Sequence, residues 1–176
     1  MKRVILDTSV YGKLVEEPEV ADIILQRTPK EFVIYGNAII KKELRDTPKH
    51  VFHSGKNVRN LLLSLYRSFV RKDHHDLDFN KLIETLSKDY MKTYRESGGS
   101  LSNEKMKNDL IIIATATIYG LDIVVSDDEN SMMSTPAIDA YLAVNRIYGM
   151  PNPSFRKYRH FKAELLRPKN QGDLPL

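Results

Sequence analysis

The chain contains no cysteine among its 176 residues. Disulfide bonds and thiolate metal sites are therefore excluded, and a metal site would need carboxylates or histidines; carboxylates favour Mg²⁺ or Mn²⁺. The sequence also lacks a long uncharged apolar run, so we expect no transmembrane helix and no membrane contact. With Asp7 so early, the first residues are not expected to form a signal peptide. Together these absences fit a cytoplasmic protein.

No internal repeat or low-complexity tract interrupts the chain. Its length, with 41% hydrophobic and 28% charged residues, predicts a single globular domain. We expect this domain to span residues 1–163 and residues 164–176 to form a partly flexible tail. The net charge of +4 modestly favours a polyanionic partner, although many other proteins are equally basic.

Apolar patterning predicts alternating strands and helices. Strands are expected in "RVILDTS", "EFVIYG" and "LDIVVS", with a last short strand in "PNPSFRKY". Helices are expected over residues 18–28, 37–46, 56–72, 80–96, 108–120 and 137–148. Within the helix at 80–96, Leu82, Ile83, Leu86, Tyr90 and Tyr94 are expected to face inward. This alternation predicts an α/β fold around a mostly parallel sheet.

Acidic residues fall where parallel sheets place their sites, at the carboxyl ends of strands. Asp7 directly follows the apolar run "VIL", and Asp127 and Asp128 follow the "DIVVS" strand. Glu43 lies on the helix after the second strand. Asp109 is expected in the first turn of the apolar helix, where a helix N-terminus favours negative charge. An α/β topology would bring these positions to one edge of the sheet.

Each acid also has an ordinary structural interpretation. Asp109 could cap its helix, Asp127 or Asp128 could start a turn, and Glu43 could be a solvated surface acid. Asp7 is hardest to explain in this way, because burying a lone carboxylate is costly unless it is paired. As a set, the carboxylates would repel one another unless a divalent cation neutralised them. The pattern therefore predicts a site for Mg²⁺ or Mn²⁺.

Four stretches resemble motifs of the PIN domain family of metal-dependent ribonucleases, and especially the toxins of prokaryotic toxin–antitoxin pairs. They are "VILDTSVY", "AIIKKELRD", "NDLIIIATATIYGLDIVVSDDENS" and "PSFRKYRHF", and together they extend over residues 2–161. The resemblance maps the family's acids to Asp7, Glu43, Asp109 and Asp128. The last acidic motif is doubled, so Asp127 competes with Asp128, and the spacing from Ser126 favours Asp128. An extra helix, "AIDAYLAVNRIYG", also departs from the shortest family members.

This resemblance implies a three-layer α/β/α sandwich with a mostly parallel central sheet of about five strands. It also implies endonucleolytic cleavage of RNA with Mg²⁺ or Mn²⁺, a homodimer and a possible antitoxin partner. Asp7, Glu43 and Asp109 would hold the principal cation. Asp128, or Asp127, would act on a second cation or on a metal-bound water.

Neighbouring polar and basic residues have roles under the same hypothesis. Thr8 and Ser9 could donate hydrogen bonds to the metal-bound water or the scissile phosphate, and Ser126 could orient the last acid. Basic residues near Glu43 and Asp109 could contact RNA phosphates or could simply be solvated; they are Lys41, Lys42, Arg45, Lys105 and Lys107. The basic residues of the stretch 56–71 could likewise contact RNA phosphates or simply be solvated.

Aromatic and histidine residues are predicted to have structural roles. Phe155, Tyr158 and Phe161 are expected to anchor the last elements rather than stack on RNA. His74 and His75 are expected in a solvated loop rather than at a transition-metal site.

Three other functions share part of this acidic pattern. A HAD-like phosphatase needs a second acid two residues after Asp7, where Ser9 stands. A receiver domain does not match the positions of Glu43 and Asp109. A non-catalytic, PIN-like RNA-binding or scaffold protein remains the alternative, and the retention of all four acids argues against it.

Overall fold

The computed structural model describes residues 1–71 and 73–167. Its elements follow one another as β1 (Lys2–Leu6), α1 (Thr8–Glu16), α2 (Pro18–Arg27), β2 (Phe32–Asn37), α3 (Ala38–Asp46), β3 (Phe52–His53), β4 (Lys56–Asn57), α4 (Val58–Phe69), a 3₁₀ turn (Asp73–His75), β5 (Asp76–Leu77), α5 (Lys81–Glu96), α6 (Asn103–Ile118), β6 (Ile123–Val125), α7 (Thr135–Tyr148), β7 (Ser154–Arg156) and α8 (Tyr158–Leu166).

Five strands form the central sheet in the order β5-β2-β1-β6-β7. Each neighbouring pair is parallel, so all five carboxyl ends lie along the same edge. The predicted α/β fold with a mostly parallel sheet of about five strands is confirmed. The short strands β3 and β4 form a separate antiparallel hairpin.

Helices cover both faces of the sheet. Residues 4–6 of β1 and residues 124–125 of β6 are completely buried. Because successive side chains of a strand point to opposite faces, this burial requires apolar cover on each side. Helices α1, α2 and α4 pack against one another, and α5 packs against α6 and α7. The arrangement is the expected three-layer α/β/α sandwich.

Hydrogen bonds at the ends of β1 and β2 fix the backbone at the edge of the sheet where the acids lie. The backbone N–H of Asp7 donates to the carbonyl of Val125 at 2.9 Å, which extends the pairing of β1 with β6 by one residue. At the end of β2, the Asn37 side chain accepts a hydrogen bond from the N–H of Ile40 at 3.0 Å. Asn37 therefore caps α3, at the first residue of the helix expected over 37–46.

Three predicted boundaries were wrong. The first strand ends at Leu6, and Thr8 and Ser9 already belong to α1, which the sequence did not reveal. The helix expected over 56–72 is α4 and spans only Val58–Phe69, because Lys56 lies in the hairpin. The helix expected from residue 108 begins at Asn103, where Ser102 caps it by accepting from the N–H of Lys105.

Burial corrects one predicted core residue, Leu82, and confirms the other inward residues of α5, which are Ile83, Leu86, Tyr90 and Tyr94. Leu82 is 64% exposed, because it precedes Ile83 on α5 and points away from the face that Ile83 and its helical repeats bury. Tyr158 and Phe161 are buried, which confirms that they anchor the last helix to the core.

The carboxyl-terminal region ends in α8. The boundary predicted after residue 163 falls inside this helix, which buries Leu165. Residues 168–176 of the predicted tail lie outside the described residues. None of the helices in the described part of the chain has the length and apolar character needed to cross a bilayer.

A candidate active site at the carboxyl edge of the sheet

Four carboxylates line one cavity of ≈ 470 Å³ at the carboxyl edge of the sheet. They are Asp7 after β1, Glu43 on α3, Asp109 on α6 and Asp128 in the loop after β6. Residues far apart in sequence meet here because the parallel strands all end at this edge. The rest of the lining is Thr8, Ser9, Gly12, Leu44, Thr47 and Leu62.

Asp7 is buried, with 4% of its surface exposed. One carboxylate oxygen accepts hydrogen bonds from the hydroxyls of Ser9 at 2.8 Å and Ser126 at 2.9 Å. The other lies 3.3 Å from the hydroxyl of Thr8. Three hydroxyl groups therefore surround this carboxylate and offset part of the cost of its burial.

Glu43 is held by two donors from different elements. The Thr8 hydroxyl lies 3.1 Å from one of its carboxylate oxygens, and the Asn108 amide donates to the other at 2.5 Å. Partial burial raises the pKa of Glu43, and the charge of Asp7 adds to this, although both hydrogen bonds oppose it. Asn108 was not predicted as a site residue; its position directly before Asp109 was the available signal.

Asp109 lies in the second turn of α6, not in the first as predicted, because that helix begins at Asn103. Helix capping and the helix dipole therefore do not explain its position. The pKa of Asp109 is raised to about 7, mainly by burial, and the neighbouring charges of Asp7, Asp128 and Glu43 contribute to the rise. A hydrogen bond from the Ser131 hydroxyl acts in the opposite direction.

Asp128 organises the loop that follows β6. One of its carboxylate oxygens accepts from the backbone N–H groups of Asn130 and Ser131, both at 3.0 Å. The other oxygen lies 2.6 Å from the Ser131 hydroxyl. The N–H of Asp128 donates to the Ser126 hydroxyl at 3.0 Å, so Ser126 contacts both the first and the last of the four acids. Sequence reasoning missed Ser131.

Asp127 faces a different part of the molecule. Its carboxylate accepts from the N–H of Tyr158 at 2.9 Å, at the first residue of α8. It is not among the residues that line the carboxylate cavity. Of the two adjacent aspartates, only Asp128 contributes its side chain to this cavity.

Comparison with known proteins shows that a solved structure is similar to this chain in fold. Neither a family model nor a curated protein matches the chain. A solved structure described as VapBC-1 from nontypeable Haemophilus influenzae is similar. The match covers 89% of this chain and 98% of that chain, with 14% identity and a TM-score of 0.55. At this identity the likeness shows the fold alone.

The predicted basic residues lie outside the lining of the carboxylate cavity. The Lys41 ammonium forms an ion pair with the carboxylate of Asp76, with 3.3 Å between Nζ and Oδ2. The others are exposed on α3 and α6; they are Lys42, Arg45, Lys105 and Lys107. Their predicted contact with RNA phosphates stays a prediction.

The carboxylates fit a hard divalent cation in chemistry, since they supply only oxygen ligands. Within residues 1–71 and 73–167, no three side chains of His, Cys, Asp or Glu are already arranged to hold one ion. Hydroxyl and amide donors now occupy carboxylate oxygens that would coordinate a metal. The acids would therefore have to exchange some of these bonds for metal coordination.

His74 and His75 contact each other in the 3₁₀ turn, with ring centroids 4.4 Å apart.

Proposed function

We propose that this chain is a Mg²⁺- or Mn²⁺-dependent endoribonuclease. The observation that carries the proposal is the cavity lined by Asp7, Glu43, Asp109 and Asp128, four acids from separate segments of the chain. Burial of like charges at one place is unfavourable, and the raised pKa values of Glu43 and Asp109 reflect this. A divalent cation would relieve the repulsion, and clustered acids with shifted pKa values are typical of functional sites.

In this proposal Asp7, Glu43 and Asp109 hold the principal cation, and Asp128 serves a second cation or a metal-bound water. When bound, the metal would lower the pKa of a water molecule and stabilise the negative charge that develops on the phosphate. Ser9 and Ser126 fix the carboxylate of Asp7, while Asn108 orients Glu43. Thr8 has its hydroxyl between Asp7 and Glu43 and can turn it toward a substrate phosphate.

We further propose that the chain is the toxin of a type II toxin–antitoxin pair, a cytoplasmic homodimer inhibited by an antitoxin protein. Four motifs that resemble PIN domain toxins support this, and so does the likeness in fold to the VapBC-1 structure. Analytical ultracentrifugation tests the dimer, and a purely monomeric protein at all concentrations would contradict it.

The decisive experiment is cleavage of a single-stranded RNA with and without Mn²⁺. We expect cleavage only with the metal, and a loss of about 100-fold or more in Asp7→Asn and Asp109→Asn. Asp22→Asn is the matched control, because Asp22 is an exposed acid on α2. Circular dichroism establishes that each variant is folded. Undiminished activity in a folded Asp7→Asn or Asp109→Asn variant would overturn the proposal.

The alternative is a PIN-like protein that binds RNA without cleaving it. That protein would retain RNA in a binding assay, while the RNA stayed intact in Mg²⁺ and in Mn²⁺. The same pair of measurements therefore separates the two functions.

A further inference from the structure

The hairpin formed by β3 and β4 carries an exposed aromatic side chain that the proposed chemistry does not use. Phe52 is 64% exposed, and its neighbour Val51 is 37% exposed. Contiguous exposed apolar surface is a feature of interaction sites, so the pair is considered together with the groove and the charges around it. The hairpin lies between α3, which carries Glu43, and α4.

The hairpin is held in one conformation by its turn and by its base. Ser54 and Gly55 form the two-residue turn with φ values of 49° and 74°, the positive angles that tight hairpin turns require. At the base, the Asn57 amide donates to the Lys49 carbonyl at 2.5 Å, and the N–H of Val58 donates to the carbonyl of Val51 at 3.0 Å. The Phe52 ring is thus presented from a fixed backbone.

A groove of ≈ 430 Å³ connects the hairpin with the carboxylate cavity. Its lining includes Phe52 and His53 from the hairpin and Lys13 from α1. Ser9 and Gly12 line both the groove and the cavity, so the two depressions adjoin at these residues. A chain-like ligand could therefore extend from the acids to the hairpin.

Gly12 keeps the junction between the two depressions open. It lies inside α1, where glycine weakens a helix relative to alanine. A Cβ built at this position would meet nothing within 4 Å. The space above the helix is therefore free, and a larger side chain here would project into the path between cavity and groove.

The charge around the hairpin favours a polyanion. Lys49 and Lys56 lie in or beside it, and residues 49–71 contain no acid. Glu16 is the one acidic residue in the lining of the groove. Single-stranded RNA is bound by this combination of cationic groups and exposed rings, because bases stack on aromatic side chains while cations contact the phosphates.

We propose that Phe52 is a base-stacking residue and that the groove holds the nucleotides adjoining the cleaved phosphate of a single-stranded RNA. The inference rests on the proposed ribonuclease function and adds a substrate-positioning surface to it. The occupied path runs from the carboxylates over Gly12 to the ring of Phe52.

The first test uses the absence of tryptophan from the chain. Phe52→Trp introduces a single indole, whose fluorescence a stacked base quenches. We expect quenching when a single-stranded RNA oligonucleotide is added in EDTA, which prevents metal-dependent cleavage. Leu166→Trp is the control, because Leu166 is also exposed and adjoins Leu165, which lines a cavity with Met1 and Phe32 at the opposite edge of the sheet. Equal quenching of both variants, or none in Phe52→Trp, would overturn the inference.

The second test separates stacking from apolar contact and from chemistry. Phe52→Ala and Phe52→Leu should weaken RNA binding about tenfold, while Phe52→Tyr should bind like the wild type. In the cleavage assay we expect KM to rise, while kcat changes little. Gly12→Leu should also weaken binding, because its side chain would enter the path. RNA binding that is unaffected in Phe52→Ala would overturn the inference and leave the hairpin as a contact for another class of macromolecule.

The outcomes distinguish this inference from the proposed function. RNA cleavage that persists unchanged in Phe52→Ala would refute only the role of Phe52. Quenching of Phe52→Trp by RNA, with no cleavage in any metal, would support the groove and refute the ribonuclease. The Asp7→Asn, Phe52→Trp double variant should still be quenched, because Asp7 is assigned to the metal and not to base stacking.

Discussion

Asp109 and Asp128 share one hydroxyl group, that of Ser131. The hydroxyl oxygen lies 2.6 Å from Asp128 and is also hydrogen-bonded to Asp109. A serine hydroxyl has one proton and can donate it to only one carboxylate at a time. Both contacts are satisfied when the other carboxyl group is protonated and donates to the serine oxygen. Asp109, whose pKa is raised to about 7, can hold that proton below neutral pH; when Asp109 is ionised, it accepts from the serine hydroxyl instead.

The first prediction concerns the pH dependence of stability without metal. The pKa of Asp109 rises from 3.8 to about 7 on folding, so between these values the folded state keeps a proton that the unfolded chain has lost. Stability should therefore fall as pH rises through this window. From about pH 5 to about pH 8 the expected contribution is a loss on the order of 3 kcal/mol in the free energy of unfolding.

Denaturant unfolding in EDTA at several pH values measures this effect. Asp109→Asn cannot ionise and should show a flatter pH profile, with its advantage over the wild type greatest above neutral pH. Parallel profiles for the two proteins would show that Asp109 does not titrate in this range.

The second prediction concerns thermal stability with metal. Mn²⁺ should raise the melting temperature of the wild type, because a ligand at about 100 times its dissociation constant stabilises the folded state by about 2.7 kcal/mol. The rise should be larger at higher pH, since the cation competes with the proton on Asp109. Differential scanning fluorimetry with a hydrophobic dye measures it, and Asp7→Asn should reduce the shift. Equal shifts in both proteins would place the metal elsewhere.

The third prediction separates the two adjacent aspartates. Asp128→Asn should lower Mn²⁺-dependent cleavage by about 100-fold, because Asp128 lines the cavity. Asp127→Asn should leave cleavage within about tenfold of the wild type and reduce stability by about 1 kcal/mol, since Asp127 accepts from the N–H of Tyr158 at the start of α8. Cleavage rates and denaturant midpoints of the two variants decide the assignment. The reverse ranking would make Asp127 the functional acid.

The fourth prediction compares two glycines. Gly12→Ala should raise the free energy of unfolding by about 1 kcal/mol, because the added methyl meets open space inside a helix. Gly36→Ala should lower it by about 2 kcal/mol, because a Cβ there would collide with the ring of Tyr66. Urea denaturation of both variants provides the comparison, with the wild type as reference. A lower free energy of unfolding in Gly12→Ala would mean that the added methyl group collides with neighbouring atoms.

Long-range features of the fold follow from local patterns where those patterns are strong. The apolar runs of β1 and β6 predict buried parallel strands, and Asn37 predicts a helix start, as observed. Gly120, with φ of 60°, follows the end of α6 as its sequence position indicates. These elements were predictable because each carries its own burial period or capping residue.

The unpredicted elements lack such local marks. Helix α1 begins without a side-chain cap, because the carboxylate of Asp7 is bonded to Ser9 and Ser126 instead. Strands β3, β4 and β5 have two residues each, too few to show a period of two. Their identity depends on the neighbours they meet in the folded chain.

The candidate site also has a part that the sequence predicts and a part that it does not. The sequence and topology place acids at the ends of β1 and β6, and so anticipate their convergence. The contacts of Ser131 and Asn108 depend on the path of a loop and on the offset between α3 and α6, which no spacing in the sequence encodes. The choice between Asp127 and Asp128 likewise depends on the position of α8, where Tyr158 binds Asp127.

The strand order has a consequence for synthesis of the protein. Strand β6 lies between β1 and β7, and its Val125 carbonyl binds the N–H of Asp7. A nascent chain that has left the ribosome only as far as α6 already carries Asp7, Glu43 and Asp109, but it lacks Asp128 and the strand that fixes Asp7. The carboxylate cavity is therefore completed only after β6 and Asp128 have emerged, and shorter growing chains carry the first three acids without the assembled site.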